Sequence, residues 1–299
     1  MHEVNQLQSG ETNASPLLFE SLSQYGLDLL TFSLANASLQ EHYVMFEYLR
    51  QRMPLKVLIL PVVFDDTREE GLRPDVAAFA KDRATAKALS ETFIGKRLVS
   101  TVQSGAMTEL VSTNDDAGGV AGTFQERAEK SLNKWLKEHS RLWQLRPEIR
   151  GRLFIGLYRV RNFVFGITPS STRKVIPGRY KDNLAALQAI LDRSRREHVR
   201  VVMYIVPLRG GVKIPYEPTE YVAFKSQMET LSQQYDASFK NLEQLIPDDF
   251  WGTKASTSLG EEQELDFMHF RHSGHRLLAQ ALHELAVQAL GKRQAGSLP

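Results

Sequence analysis

Two runs of nearly continuous apolar residues, Lys56–Phe64 (KVLILPVVF) and Val199–Val206 (VRVVMYIV), constrain the fold of this chain more than any other feature. A strand with one wet face alternates apolar and polar residues, whereas a strand covered on both faces does not. Each run is therefore read as a strand buried between two layers. A helix-like stretch precedes each: Glu41–Met53, stopped before Pro54, and Tyr180–His198, with Leu184, Leu187, Ile190 and Leu191 on one side. Pro16–Tyr25 reads as a short helix closed by Gly26, and Leu27–Leu34 as a further buried strand. Tyr221–Tyr235 reads as helix, Ala237–Leu242 as a short strand and His275–Leu290 as the final helix. Strand and helix in repetition imply an α/β fold with a parallel, doubly covered sheet.

The stretch from Asp65 to Arg179 breaks this repeat. Val76–Phe93 is Ala-rich and helical, Asp115–Gly122 is a loop, Gln125–Trp143 a basic amphipathic helix. Arg150–Gly166 (RGRLFIGLYRVRNFVFG) interleaves aromatics with Arg152, Arg159 and Arg161. That pattern fits a contact with a membrane surface or an anionic polymer, or a helical cap whose aromatics pack inward and whose arginines stay wet. The expected organisation is an α/β core from residues 1–64 and 180–299, with 65–179 as a mainly helical insertion shaping a cleft at the sheet edge.

Composition excludes little. With 37 basic and 35 acidic residues the net charge of +2 calls for no nucleic-acid partner. The absence of Cys removes disulfides, thiolate metal sites and a Cys nucleophile, and leaves the compartment unreadable. No run of about 18 apolar residues spans a membrane, and MHEVNQLQSGETN has neither the basic nor the apolar region of a signal peptide.

The chemistry concentrates in DFMHFRHSGH, residues Asp266 to His275. An Asp three residues ahead of a His, in a Gly-containing turn opening the last helix, brings carboxylate and imidazole together. A carboxylate accepting the Nδ1 proton fixes the tautomer and leaves Nε2 to take a proton from a hydroxyl. His269, His272 and His275 also recur every third residue, but helical metal pairs want i, i+4 spacing, so no metal site is expected.

Asp266, His269, Gly274 and the apolar run Leu277, Leu278, Ala281, Leu282 resemble the closing block of the SGNH (GDSL-type) hydrolases. TFSLANAS, Thr31 to Ser38, resembles that family's second block, with Asn36 where its oxyanion-hole Gly stands; Asn36 is the expected oxyanion donor. After Lys56–Phe64 the chain carries Asp65 and Asp66 where the family has an Asn donor. The strand VVMYIVPLRGG and the later IPDDFW are similar to envelope-associated relatives that work beside membrane-bound O-acyltransferases on polysaccharides. The resemblance implies a flavodoxin-like parallel sheet and a serine esterase or O-acyltransferase acting on an O-acyl ester of a carbohydrate-like substrate. It implies no cofactor, and a membrane-bound O-acyltransferase as a partner.

The family's first block, a strand ending in the nucleophile Ser, is absent. In the family order 2-1-3-4-5 that strand lies between the counterparts of Leu27–Leu34 and Lys56–Phe64, so the chain is expected to be truncated, with Met1 internal to a longer product. Ser9 before Gly10 is the alternative nucleophile, although Met1–Gln8 offers only Val4 and Leu7 as aliphatic support for a strained turn. His2, Asn5, Gln6 and Asp65 are expected to line the pocket. The competing reading is a non-catalytic SGNH-like module in which Asp266 and His269 are loop residues and the cationic 150–161 surface binds a partner.

Overall fold

A computed structural model describes residues 6–34, 36–104, 172–255 and 263–291 of the chain. Two compact units divide it, one of residues 1–113, 175–253 and 265–299, the other of 114–174 and 254–264. The boundary expected at residue 65 thus falls inside the first unit. Asp115–Gly122, Gln125–Trp143 and Arg150–Gly166 lie outside the described residues.

The first unit is a mixed α/β structure around a three-stranded parallel sheet, ordered β1 (Val57–Val62), β2 (Arg200–Ile205), β3 (Ser238–Asn241). Before it come α1 (Ala14–Ser23), capped by the Asn13 side chain, and α2 (Leu39–Arg50), started by a reciprocal capping box of Ser38 and Glu41. After β1 run three short helices, α3 (Pro74–Ala80), α4 (Arg83–Leu89) and α5 (Phe93–Gln103). Where one Ala-rich helix was expected there are two, because Asp82 caps a new start by accepting the N–H of Thr85. Helix α6 (Pro177–Arg196) leads into β2, and α7 (Pro218–Gln234) into β3.

Parallel pairing in register (Leu58 with Val201, Leu60 with Met203, Val62 with Ile205) turns alternate residues to opposite faces. Leu60, Val62, Val201, Met203 and Ile205 join one core with Tyr43, Phe46, Leu187 and Ile190 of α2 and α6. Tyr204 and Val206 join another with Leu18 and Leu22 of α1 and Leu278 and Leu282 of α8 (His272–Gly291). Both faces of β2 are covered, which is why its sequence lacks alternation.

The expected strand Leu27–Leu34 is not one. It is extended chain, with Leu27 and Leu29 against the α1 and α8 core but Leu30 and Phe32 53% and 45% exposed. Its composition suits a strand, but a strand exists only with a partner ladder. Among the described residues β1 pairs with β2 alone. The Arg200 N–H donates to the Lys56 carbonyl, so even-numbered β1 residues face β2 and Val57, Ile59 and Pro61 face away. Pro61 has no N–H to offer, and it stands on the side where none is used.

A second, two-stranded sheet pairs β4 (Trp251–Ala255) with β5 (Gln263–Phe270). The turn expected to carry Asp266 and His269 is therefore the strand β5, and the last helix begins at His272, three residues before the expected His275. Gly274 serves packing: a Cβ there would lie 2.8 Å from the Phe270 ring. Phe270, 1% exposed, meets Trp251 edge-on at 5.3 Å and fixes the end of β5 in the core.

Candidate functional site

Asp266 and His269 form the pair that their spacing suggested. His269 Nδ1 is 2.7 Å from Asp266 Oδ2, while Asp266 Oδ1 accepts the backbone N–H of Met268 (2.9 Å) and of His269 (3.0 Å). The carboxylate is thus fixed to the backbone that carries its imidazole. Asp266 is 1% exposed, whereas the His269 side chain keeps 23% of its surface. Burial works to raise the Asp266 carboxyl, but the bonds from His269 and from the Met268 N–H outweigh it and hold it below the usual carboxylate range. A charged carboxylate against Nδ1 favours the tautomer whose proton sits there, which makes Nε2 the basic nitrogen.

The other two histidines diverge from it. His272 Nδ1 meets the Thr12 carbonyl at 2.8 Å, and His275 is buried with its ring 4.6 Å from that of Phe270. Among the described residues no group of three or more His, Asp or Glu side chains is arranged to hold a metal.

Of the remaining expected residues, Asp65 lies in the loop after β1, at the carboxyl end of the sheet where α/β folds bind ligands. Asn36, exposed and left-handed at φ 51°, lies in the turn before Ser38. That turn meets the loop after β1 through Ser38 Oγ to the Gly71 carbonyl (3.3 Å) and the Arg73 to Glu41 ion pair (2.7 Å). Asn183 ties the same region together, accepting the Gln40 N–H and donating to the Thr67 and Glu69 carbonyls.

Asp65 turns its Oδ2 to the Tyr216 hydroxyl (3.0 Å), with Arg68 3.7 Å from Oδ1. Burial, with Asp65 and Glu69 nearby, pushes the Asp66 carboxyl well above its ordinary range. Asp65 is thus turned to a donor, while burial disfavours the charged form of Asp66.

Ser9 lies in an exposed turn with Gly10 at φ 88°, and no strand precedes it among the described residues. His2 and Asn5 lie outside those residues. Gln6 packs on Gly252 and donates from Nε2 to the Thr253 carbonyl at 2.5 Å, which brings the N-terminal segment onto the hairpin that carries Asp266.

Arg209, which sequence reasoning missed, joins the carboxyl end of β2 to this hairpin. Its backbone N–H donates to the Phe267 carbonyl (3.2 Å) and its Nη1 to the Gly252 carbonyl (2.9 Å). The one available signal was its place, a cation in a Gly-rich loop directly after a buried strand.

A groove of about 520 Å³ between α1 and α8, lined in part by Leu17, Phe250, Arg276 and His283, includes neither Asp266 nor His269. No family model matches the chain, and neither a curated protein nor a solved structure matches it.

Proposed function

We propose that this chain carries the base and its orienter in an SGNH-type hydrolase, a serine esterase or O-acyltransferase acting on an O-acyl ester of a carbohydrate-like substrate. The observation that carries the reading is the Asp266 and His269 pair at 2.7 Å, its carboxylate buried and its imidazole partly exposed, joined through Arg209 to the carboxyl end of a parallel sheet. In the reaction, a hydroxyl nucleophile attacks the acyl carbonyl as its proton passes to His269 Nε2. Asp266 stabilises the resulting imidazolium, and Asn36 donates to the oxyanion. Collapse expels the sugar oxygen, which takes the proton back from His269. Water or an acceptor hydroxyl then receives the acyl group. The nucleophile belongs to a strand against the outer edge of β1, where Val57 and Ile59 turn their backbone groups away from β2. A membrane-bound O-acyltransferase is the partner this reading proposes.

A second reading, a non-catalytic module, draws on a different observation. The residues directly after the three parallel strands are Val63–Phe64–Asp65, Val206–Pro207–Leu208 and Leu242–Glu243–Gln244, none of which carries a hydroxyl or thiol. Hydrolysis of p-nitrophenyl acetate separates the two, measured for this chain and for a version extended upstream in frame, each beside its His269→Ala variant. Activity confined to the extended form and lost in His269→Ala is the expected result. Activity in neither sinks the esterase reading and leaves the module, whereas His269-dependent activity in the short form points to Ser9.

A further inference from the structure

The dyad sits on a hairpin outside the parallel sheet, so its place relative to the strand ends depends on what fastens that hairpin. Leu208, 4% exposed, is itself anchored through its N–H to the Glu243 carbonyl (3.0 Å), just beyond β3. The next residue, Arg209, reaches both hairpin strands: its N–H bonds Phe267 of β5, between Asp266 and Met268, and its guanidinium bonds Gly252 of β4. A bond from a charged donor to a carbonyl is stronger than a neutral one. It is also directional, because the planar guanidinium holds its N–H groups in a fixed fork.

Close approach on both sides supports the same contact. Gly210 and Gly211 bring the loop beside Asp248, where a Cβ on Gly210 would lie 3.0 Å from the carboxylate, and Gly211 takes φ 68°. On the far side Gln6 lies on Gly252, where a Cβ would collide with its carboxamide. Gly252 is thus held between Arg209 and Gln6.

We infer that Arg209 is a positioning residue for His269, setting the imidazole's place relative to the carboxyl ends of β1 and β2 through the hairpin rather than by touching substrate. The linkage is continuous: Arg209 fixes Phe267 and Gly252, the β5 backbone donates twice to Asp266, and Asp266 holds Nδ1. Its catalytic consequence rests on the proposed esterase reading; the mechanical claim does not.

The test uses nitrogen-detected NMR of the imidazole groups in the full chain, with the His269 signals assigned by their loss in His269→Gln. Arg209→Met keeps most of the stem but removes the guanidinium, Arg209→Ala removes stem and guanidinium, and Arg209→Lys restores a charged donor; all three keep the backbone N–H to Phe267. Arg179→Met, which breaks an ion pair with Glu70 and a bond to the Arg68 carbonyl, both outside this linkage, serves as the control for general loosening. The expected result is solvent exchange of the His269 Nδ1 proton accelerated at least about tenfold in the Met and Ala variants, less in Lys and not in Arg179→Met. In an ester-hydrolysing form, kcat falls on the order of 10- to 100-fold with KM little changed. If the Ala variant does not fold, Met and Lys decide. Unchanged Nδ1 protection in a folded Arg209→Met protein overturns the inference. Absence of ester hydrolysis in the unmutated protein sinks the esterase reading instead, leaving the exchange comparison to judge Arg209.

Discussion

Replacing Asp266 separates the structural work of its carboxylate from the electrostatic work. The side chain is 1% exposed and accepts three bonds, two from backbone N–H groups and one from His269 Nδ1. Asp266→Ala strands the Met268 and His269 N–H groups, each costing about 1 to 3 kcal/mol if water does not reach it. Taking ~3 kcal/mol in all, and about 2 to 4 °C per kcal/mol for a chain of this order of size, Tm falls by roughly 6 to 12 °C. Asp266→Asn keeps an oxygen for both backbone donors, and its amide meets the imidazole only if Nδ1 gives up its proton. It therefore costs about 1 kcal/mol of stability while placing the proton on Nε2, the wrong nitrogen for a base; on the proposed esterase reading, an ester-hydrolysing form loses activity on the order of 10⁴-fold. Because the folded pKa of Asp266 lies below the unfolded value of about 3.9, its stabilisation is complete above that value and fades as pH drops through the folded pKa. Thermal melts by circular dichroism at pH 7 and pH 3 measure both effects. A loss under 2 °C in Asp266→Ala at pH 7, or equal losses in Ala and Asn, refutes this accounting.

Three further outcomes test other parts of the fold. Glu47, with its side chain wholly buried, takes Arg50 Nε at 2.6 Å with Arg193 Nε 3.3 Å away, so Glu47→Ala costs about 3 kcal/mol in urea unfolding. Glu47→Gln costs less, since burial already pushes that carboxyl toward its neutral form. Gly95→Ala would put a Cβ 2.0 Å from the Leu89 carbonyl oxygen, and the backbone shift this demands lowers stability by ~2 to 3 kcal/mol in the same assay. The His42 imidazole is pushed down to about 4, by burial first, with Glu41 opposing and Arg73 adding. Its contribution to stability is whole above the unfolded value of about 6.5 and is lost as pH falls from there toward 4, so unfolding free energies between pH 7 and 4.5 decline less steeply in His42→Gln.

The residues that declared themselves in the sequence are those whose environment is local or layered. The runs Lys56–Phe64 and Val199–Val206 named two parallel strands because burial on both faces suppresses alternation. Asp266 and His269 met because three residues of chain hold them within reach, whether that chain is turn or strand. Leu27–Leu34 shows where this fails: its composition is that of a strand, yet no ladder accepts it among the described residues, and Leu30 and Phe32 stay in water. The reading of Asp266–His269 as a turn fails for the complementary reason, since QELDFMHF becomes strand by pairing with β4.

By itself, then, the sequence determined an α/β chain with a doubly covered parallel sheet and a carboxylate poised to orient an imidazole, because periodicity and short-range spacing encode both. The tertiary structure alone decided that the dyad stands on a hairpin, that Arg209 and Gln6 hold that hairpin from two sides, and that β1 turns one edge away from β2. Those contacts join residues dozens to hundreds of positions apart through backbone carbonyls and N–H groups, which every residue carries and no side-chain pattern reveals.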